Sequence, residues 1–493
     1  MGRRLDARTK FEFGDFQTPA ALASEVCAVL AGLNLTPTSI VEPTCGTGSL
    51  LFAALAAFPA FGQAIGSDIN ADYIAAVRGD PRLRRYAHRV TLCRESFFDA
   101  AWQPRLDALA SPVLVIGNPP WVTSADLGSV RSRNVPSKTN FQRRAGLDAR
   151  TGKSNFDISE WMLIKLLQWL DGRDAAVAML CKSAVARRVL SYAWSAGVRV
   201  EAASMYEIDA ATHFRAAVDA CLLVCMLGER GSAPQCRTFA GLSATRPGGA
   251  FGYVDGHLLA SIPLYERWKH LAGASPYKWR SGIKHDCAAV MELRAVDDGL
   301  VNGHGEAVAI EAERLYPLMK SSDVARGAPA QPRFLVVTQH AVGEDTRSLK
   351  RSAPRAWAYL TRYRARFERR GSSIYRGKSP FAIFGVGDYS FAPWKIAISG
   401  LYKKLAFRLV GPRDGKPVVL DDTCYFLPCA SEVEAQLLWR LLCSEPATQF
   451  YSAFIFWDAK RPITTDLLRR LDLRAVAKTL GLEGEFRRVC APA

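Results

Sequence analysis

Ser39-Ile-Val-Glu-Pro-Thr-Cys-Gly-Thr-Gly-Ser-Leu-Leu-Phe-Ala-Ala-Leu55 reads as a buried strand, a glycine-bearing turn and the start of a helix. Gly46 and Gly48 permit positive φ and close backbone approach, and the new helix offers unpaired N–H groups to a carboxylate or phosphate. The next short strand, Ala64-Ile-Gly-Ser-Asp68, ends in an acid. It lies about 20 residues on, where an α/β nucleoside site places the carboxylate that binds ribose hydroxyls. Leu51 occupies the place where a nicotinamide-binding turn usually carries a third glycine. The fold expected from this pattern is α/β, with a mixed, mainly parallel sheet of Rossmann type.

Downstream, Val113-Leu-Val-Ile-Gly-Asn-Pro-Pro-Trp121 is another β-branched run, and it stops at a stiff loop. Neither proline donates a backbone hydrogen bond, and each biases its predecessor toward extended backbone. At the carboxyl end of a parallel strand, such a loop lies where open α/β sheets bind ligands. It carries one amide (Asn118), carbonyls, and one large aromatic face (Trp121). That set suits a flat ring bearing an amine: the Asn118 oxygen and the Pro119 carbonyl accept its hydrogens while Trp121 stacks on the ring.

Around these two stretches the chain falls into order. Thr18-Pro19 is expected to open an amphipathic helix over 20–30, with Thr18 as its N-cap. A third strand begins at Val90 and should bring Ser96 and Phe97 to the sheet's rim. Arg131 to Lys153 carries seven Lys/Arg against one Asp, without an apolar period, and reads as a clamp on a polyanion. A helix over 155–170, strands over 175–181 and 220–227, and His213-Phe214 before the last of these complete the first part. Residues 233–274 include a run rich in Gly, Ser, Pro and Arg and are expected to be a linker between a domain over 1–232 and another over 275–493.

The 493 residues suffice for two or three domains, and their net charge is +17. Residues 331–493 hold 27 Lys/Arg against 15 Asp/Glu, so most of the surplus lies there, interleaved with aromatics such as Trp357 to Arg370. That composition suits a nucleic-acid surface. No apolar run reaches the roughly 18 residues a spanning helix needs, so no membrane association is expected. The 12 cysteines form no Cys-x-x-Cys pair. Reduced thiols in cytoplasm, and no metal site, are expected.

Placed together, Thr18-Pro19, the glycine turn, Asp68 and Asn118-Pro-Pro-Trp121 resemble the γ-class N6-adenine DNA methyltransferases, in which these motifs occur in this order with the target-recognition region last. The resemblance implies a class I methyltransferase domain followed by a basic α+β target-recognition domain, with S-adenosylmethionine as cofactor. Thr18, Pro19, Glu42, Cys45, Gly46 and Gly48 would meet its methionine end, Asp68 its ribose, and Phe97 its adenine. Ser96 stands where such enzymes often have Asp for the cofactor amine. Asn118, Pro119, Pro120 and Trp121 would hold the target base, with Phe214 on its other face. Gly282-Ile-Lys-His-Asp286, Gly387 to Lys395 and Phe456 to Pro462 resemble the recognition portion of bacterial type II methylases. The implied partner is double-stranded DNA, met by a monomer in the bacterial cytoplasm at the nucleoid, with any cognate restriction endonuclease acting separately. Methylation of RNA or of a protein glutamine, and a DNA-binding subunit with a vestigial cofactor pocket, are the competing readings.

Overall fold

A computed structural model of the chain describes residues 16–122, 157–231, 233–297, 299–327 and 331–490. The basic run Arg131–Lys153 lies outside the described residues. The chain divides into two compact units, Met1–Ile262 and Pro263–Ala493.

Unit 1 is built on one ten-stranded sheet, in the order β10-β9-β8-β6-β7-β5-β4-β1-β2-β3. The middle of its parallel part is β1 (Ser39–Glu42), flanked by β2 (Gln63–Asp68) and β4 (Val113–Gly117). Both pairings are parallel, with Ser39 opposite Gln63 on one side and Val113 on the other. β3 (Val90–Arg94) and β5 (Ala175–Lys182) continue the parallel run outward. Chain order reverses at β1, so the crevice above the carboxyl ends of β1 and β4 is the ligand position of a doubly wound sheet. All residues of β1 and β4 are buried, which is why β4 reads as an unbroken apolar run.

Beyond β5, β7 (Ala220–Leu227) inserts antiparallel between β5 and β6 (Val200–Ile208). Residues expected to be linker instead extend this sheet as β8 (Gln235–Phe239), β9 (Gly249–Val254) and β10 (His257–Leu259). One of the glycines that disguise the segment has a packing role. A Cβ on Gly252 would stand 2.6 Å from the Pro234 carbonyl oxygen, so the β8–β9 approach needs glycine there.

Helices α1 (Ala20–Gly32) and α2 (Ser49–Ala57) cover one face of the sheet. Leu22, Val26, Leu30, Leu51 and Leu55 pack there with Ile40, Leu114 and Ile116. Further helices are α3 (Ala71–Gly79), α4 (Trp102–Asp107), α5 (Ile158–Trp169), α6 (Ser183–Ser195) and the short α7 (Ala210–Phe214). Asp157 caps α5 by accepting from the Ser159 N–H. No side chain caps α1, which begins after Pro19.

Unit 2 is α+β. A four-stranded sheet (Arg280–Ser281, Cys424–Cys429, Trp394–Ser399, Arg408–Val410) packs against helices including Glu432–Cys443 and Glu445–Ser452, burying Ile396, Leu427, Leu438 and Phe450. A separate five-stranded sheet includes Glu292–Val296, Leu315–Met319 and Arg333–Val336. Among the described residues no helix is long and apolar enough to cross a membrane.

Candidate active site

At the carboxyl ends of β1, β2 and β4 lies a cleft of about 810 Å³, solvent at its mouth included. The turn after β1 forms part of it, and Gly46 and Gly48 take φ of +49° and +82° there. Asp68, the last residue of β2, is oriented by two backbone donors: Gly46 N–H to Oδ2 and Asn70 N–H to Oδ1, both 2.8 Å. Gln17 reaches in from the segment before α1, and its Oε1 accepts from the Thr47 N–H and hydroxyl, each at 3.0 Å. A Cβ on Gly46 would sit 2.5 Å from that oxygen. Glycine therefore lets the two segments close over the cleft.

Glu42 is 2% exposed, and its Oε2 has no hydrogen-bond partner. Burial pushes its carboxyl well above the ordinary carboxylate range; the Leu51 N–H opposes that shift and the Asp68 charge adds to it. Burial, with Glu42 and Asp68 nearby, also pushes the Cys45 thiol up. Cys45 is therefore held as a thiol, the wrong form for a nucleophile. Phe97 and Phe98 wall another side, with Phe97 packed on Trp102, Trp161 and Trp169. Glu95 also lines the cleft and is gripped by Arg105, whose Nη2 donates to Oε2 at 2.8 Å.

Asn118 follows β4 directly. Its Nδ2 donates to the Phe16 carbonyl (2.9 Å) and to Thr18 Oγ1 (3.2 Å). A carbonyl can only accept, so the amide nitrogen is fixed on that side and the oxygen faces away from it. That oxygen, Oδ1, is buried and has no partner. The Thr18 hydroxyl, expected to cap α1, accepts from the Asn118 amide instead.

Trp121 differs most from expectation. Rather than presenting an open face, it is 5% exposed, and its indole N–H donates to the Leu180 carbonyl at 3.2 Å. Phe214 meets it edge-on with ring centres 5.0 Å apart, and Phe16 lies 5.8 Å from Trp121 and 6.2 Å from Phe214. Two rings holding a base between them need about 7 Å, twice the optimal carbon–carbon separation. The Trp121 carbonyl accepts from Lys182 Nζ (2.8 Å), which also contacts Asp157 at 2.6 Å.

The cleft thus gathers Thr18, Glu42, Cys45, Gly46, Asp68, Phe97, Asn118 and Pro120. Pro19, Gly48, Ser96, Pro119, Trp121 and Phe214 are not on its lining. Ser96 accepts from the Phe98 N–H at 3.2 Å, and its neighbour Glu95 stands at the cleft. Sequence reasoning missed Gln17, Asn70, Tyr73 and Met162. Asn70 had a signal, because it N-caps α3 by accepting from the Asp72 N–H two residues after the strand-ending acid. Gln17 and Met162 had none.

No family model matches the chain. It is 43% identical over 475 residues to the type II methyltransferase M.NspV of Nostoc sp. (strain ATCC 29411 / PCC 7524), covering 96% of this chain and 98% of that protein. The chain belongs to the type II methyltransferases. As a member it is a DNA methyltransferase, and its methyl donor is S-adenosylmethionine. The type IIL restriction-modification enzyme MmeI, solved in complex with DNA, shares the fold at TM-score 0.55 and 12% identity. That alignment covers 94% of this chain and 65% of MmeI.

The methyltransferase's cleft fits its cofactor in donor set. Asp68 is a carboxylate of the kind that binds ribose hydroxyls, and Phe97 and Phe98 offer apolar faces for a nucleobase. Glu42 is a buried acid that a cationic sulfur or ammonium would complement.

Unit 2 of the methyltransferase carries a second, basic cleft of about 640 Å³ lined by Arg364, Arg370, Arg376 and Lys378. Arg370 is half-buried, stacks 3.6 Å over the Tyr375 ring, and donates to the His285 and Ala382 carbonyls. Arg366, Arg376 and Lys378 are exposed, and none forms an ion pair among the described residues.

Proposed function

We propose that the enzyme transfers the methyl group to N6 of an adenine flipped out of duplex DNA, as the modification activity of a restriction-modification system. The observation that carries this reading is the state of Asn118: nitrogen tied by two acceptors, oxygen buried and unpaired beside the cofactor cleft. Buried acceptors without partners are costly, and such a group is retained where a substrate completes it. The motif order along the chain supports adenine over the other bases.

When bound, the cofactor supplies a methyl group on a positively charged sulfur. The N6 lone pair is delocalised into its ring, so the amine is a poor nucleophile. Asn118 Oδ1 and the Pro119 carbonyl would accept its two hydrogens, favour a pyramidal nitrogen and offset the positive charge that grows there. Holding the amine in line with the methyl supplies much of the remaining acceleration. The methylated nitrogen is acidic and sheds its proton without a strong base. In a duplex this amine is paired, so the base must leave the stack. Phosphate contacts fall to the basic cleft of unit 2, where Arg376 and Lys378 are uncommitted.

Base-resolved mapping of DNA from cells expressing the protein tests the reading. N6-methyladenine in one short sequence context is expected. Methylation confined to cytosine, or to RNA or protein glutamine with DNA unmodified, overturns it.

A further inference from the structure

We propose that Phe16 stands in for the target base: its ring fills the aromatic pocket against Trp121 and Phe214, and an entering base must swing it aside. The inference rests on the base-flipping reading above.

The three rings form a closed cluster, with Trp121 and Phe214 too near each other to admit a base between them, so a base that meets both must take the place of the third ring. One ring has to move, and the tethers differ. Trp121 is pinned by its indole N–H on Leu180 and by Lys182 on its carbonyl. Phe214 closes α7, whose first turn Asp209 holds by accepting from the Thr212 N–H and hydroxyl. Phe16 belongs to the segment 16–19, which is neither helix nor strand, and its side chain is only half-buried. Its carbonyl is committed to Asn118, but its ring makes no directed bond. Rotation about χ1 would carry the ring out while the carbonyl goes on holding the amide.

The exchange favours a large base. A purine entering the pocket returns more ring contact than the phenyl group gives up, whereas a six-membered pyrimidine returns about the same and gains little. Phe16 would therefore set a threshold that helps select adenine over cytosine, a discrimination that the amine acceptors of Asn118 and Pro119 do not make. Aromatic pairs are worth about 0.5–1.5 kcal/mol beyond area, or about two- to tenfold in an equilibrium.

The test uses the full chain and a duplex with 2-aminopurine at the mapped target position. Phe16→Ala keeps the carbonyl and removes the ring. The extruded fraction, read by 2-aminopurine fluorescence at saturating enzyme, should rise about two- to tenfold. The circular dichroism spectrum of the variant should match wild type, which reports an intact fold. Phe16→Trp, a larger plug, should lower the extruded fraction. Unchanged fluorescence in both variants overturns the proposal. So does lower extrusion in Phe16→Ala, which would make Phe16 a stacking partner of the base. Wild-type enzyme that methylates no adenine removes the substrate reading as well; the other failures leave that reading standing.

Discussion

Asn118→Ala separates the chemistry of this site from its stability. The wild-type side chain makes two donor bonds, 2.9 Å to the Phe16 carbonyl and 3.2 Å to Thr18. Each contributes about 0.5–1.5 kcal/mol net. Against that stands Oδ1, buried without a partner, at a cost of about 1–3 kcal/mol. Truncation removes both, and water in the cleft that Phe16 and Thr18 line takes over as donor to them, so the terms nearly offset. The melting temperature of the variant should lie within a few degrees of wild type, since about 1 kcal/mol shifts a domain of this size by only about 2–4 °C. The chemistry has no such compensation. Deleting one preorganised polar partner of a developing charge typically lowers turnover by about 10²–10³. The assay is single-turnover transfer of tritiated methyl at saturating DNA and cofactor, beside a thermal melt. A rate within about tenfold of wild type would refute the role given to Oδ1. A large rate loss together with a collapsed melting temperature would refute the compensation.

The buried acid beside it makes a pH prediction. Folding raises the Glu42 pKa from its ordinary 4.5, so the folded state holds this proton more tightly, and the stability gained is present below about 4.5 and drains away as pH rises toward the folded value. The cofactor-free wild type should therefore lose more melting temperature between pH 5 and pH 8 than Glu42→Gln does; parallel curves would contradict this. On unit 2, the double variant Arg376→Ala/Lys378→Ala should lower the slope of log affinity against log salt for duplex DNA by up to about 1.8, at about 0.9 per phosphate contact. An unchanged slope in fluorescence anisotropy would take the phosphates elsewhere. Gly282→Ala would place a Cβ 2.1 Å from the Asp421 carbonyl oxygen and 2.3 Å from that of Leu420. Backbone cannot yield as a side chain does, so a loss of about 3 kcal/mol or more is expected in a urea melt, and a wild-type midpoint would show that the strands can separate.

What could be read from the sequence was local. β1, the glycine turn, Asp68 and the strand into Asn118 are runs of a few residues whose period, spacing and breakers identify them without reference to the rest of the chain. The family resemblance then supplied the cofactor and the site roles that local pattern leaves open. What was misread depends on partners far along the chain. Thr18 looked like a helix cap because its competing donor, Asn118, lies 100 residues away. Trp121 looked exposed because the loop is polar and stiff, yet Leu180 and Phe214 cover it. Gln17 gave no signal at all, since its partner Thr47 is brought near only by tertiary packing. Residues 235–259 read as linker because glycine, serine, proline and arginine recur over residues 228–256, and only a neighbouring strand shows that Gly252 is there for clearance.

The grip on Asn118 comes partly from a main-chain oxygen, and main-chain atoms are common to every amino acid. Residue 16 can therefore drift in evolution or in a designed library, trading one side chain for another to retune which base is admitted, without releasing the reactive amide. Changes in chain length between Phe16 and Thr18 have no such freedom. A one-residue insertion or deletion there would carry the oxygen out of register, and libraries built on this scaffold should randomise identity at that point and leave spacing alone.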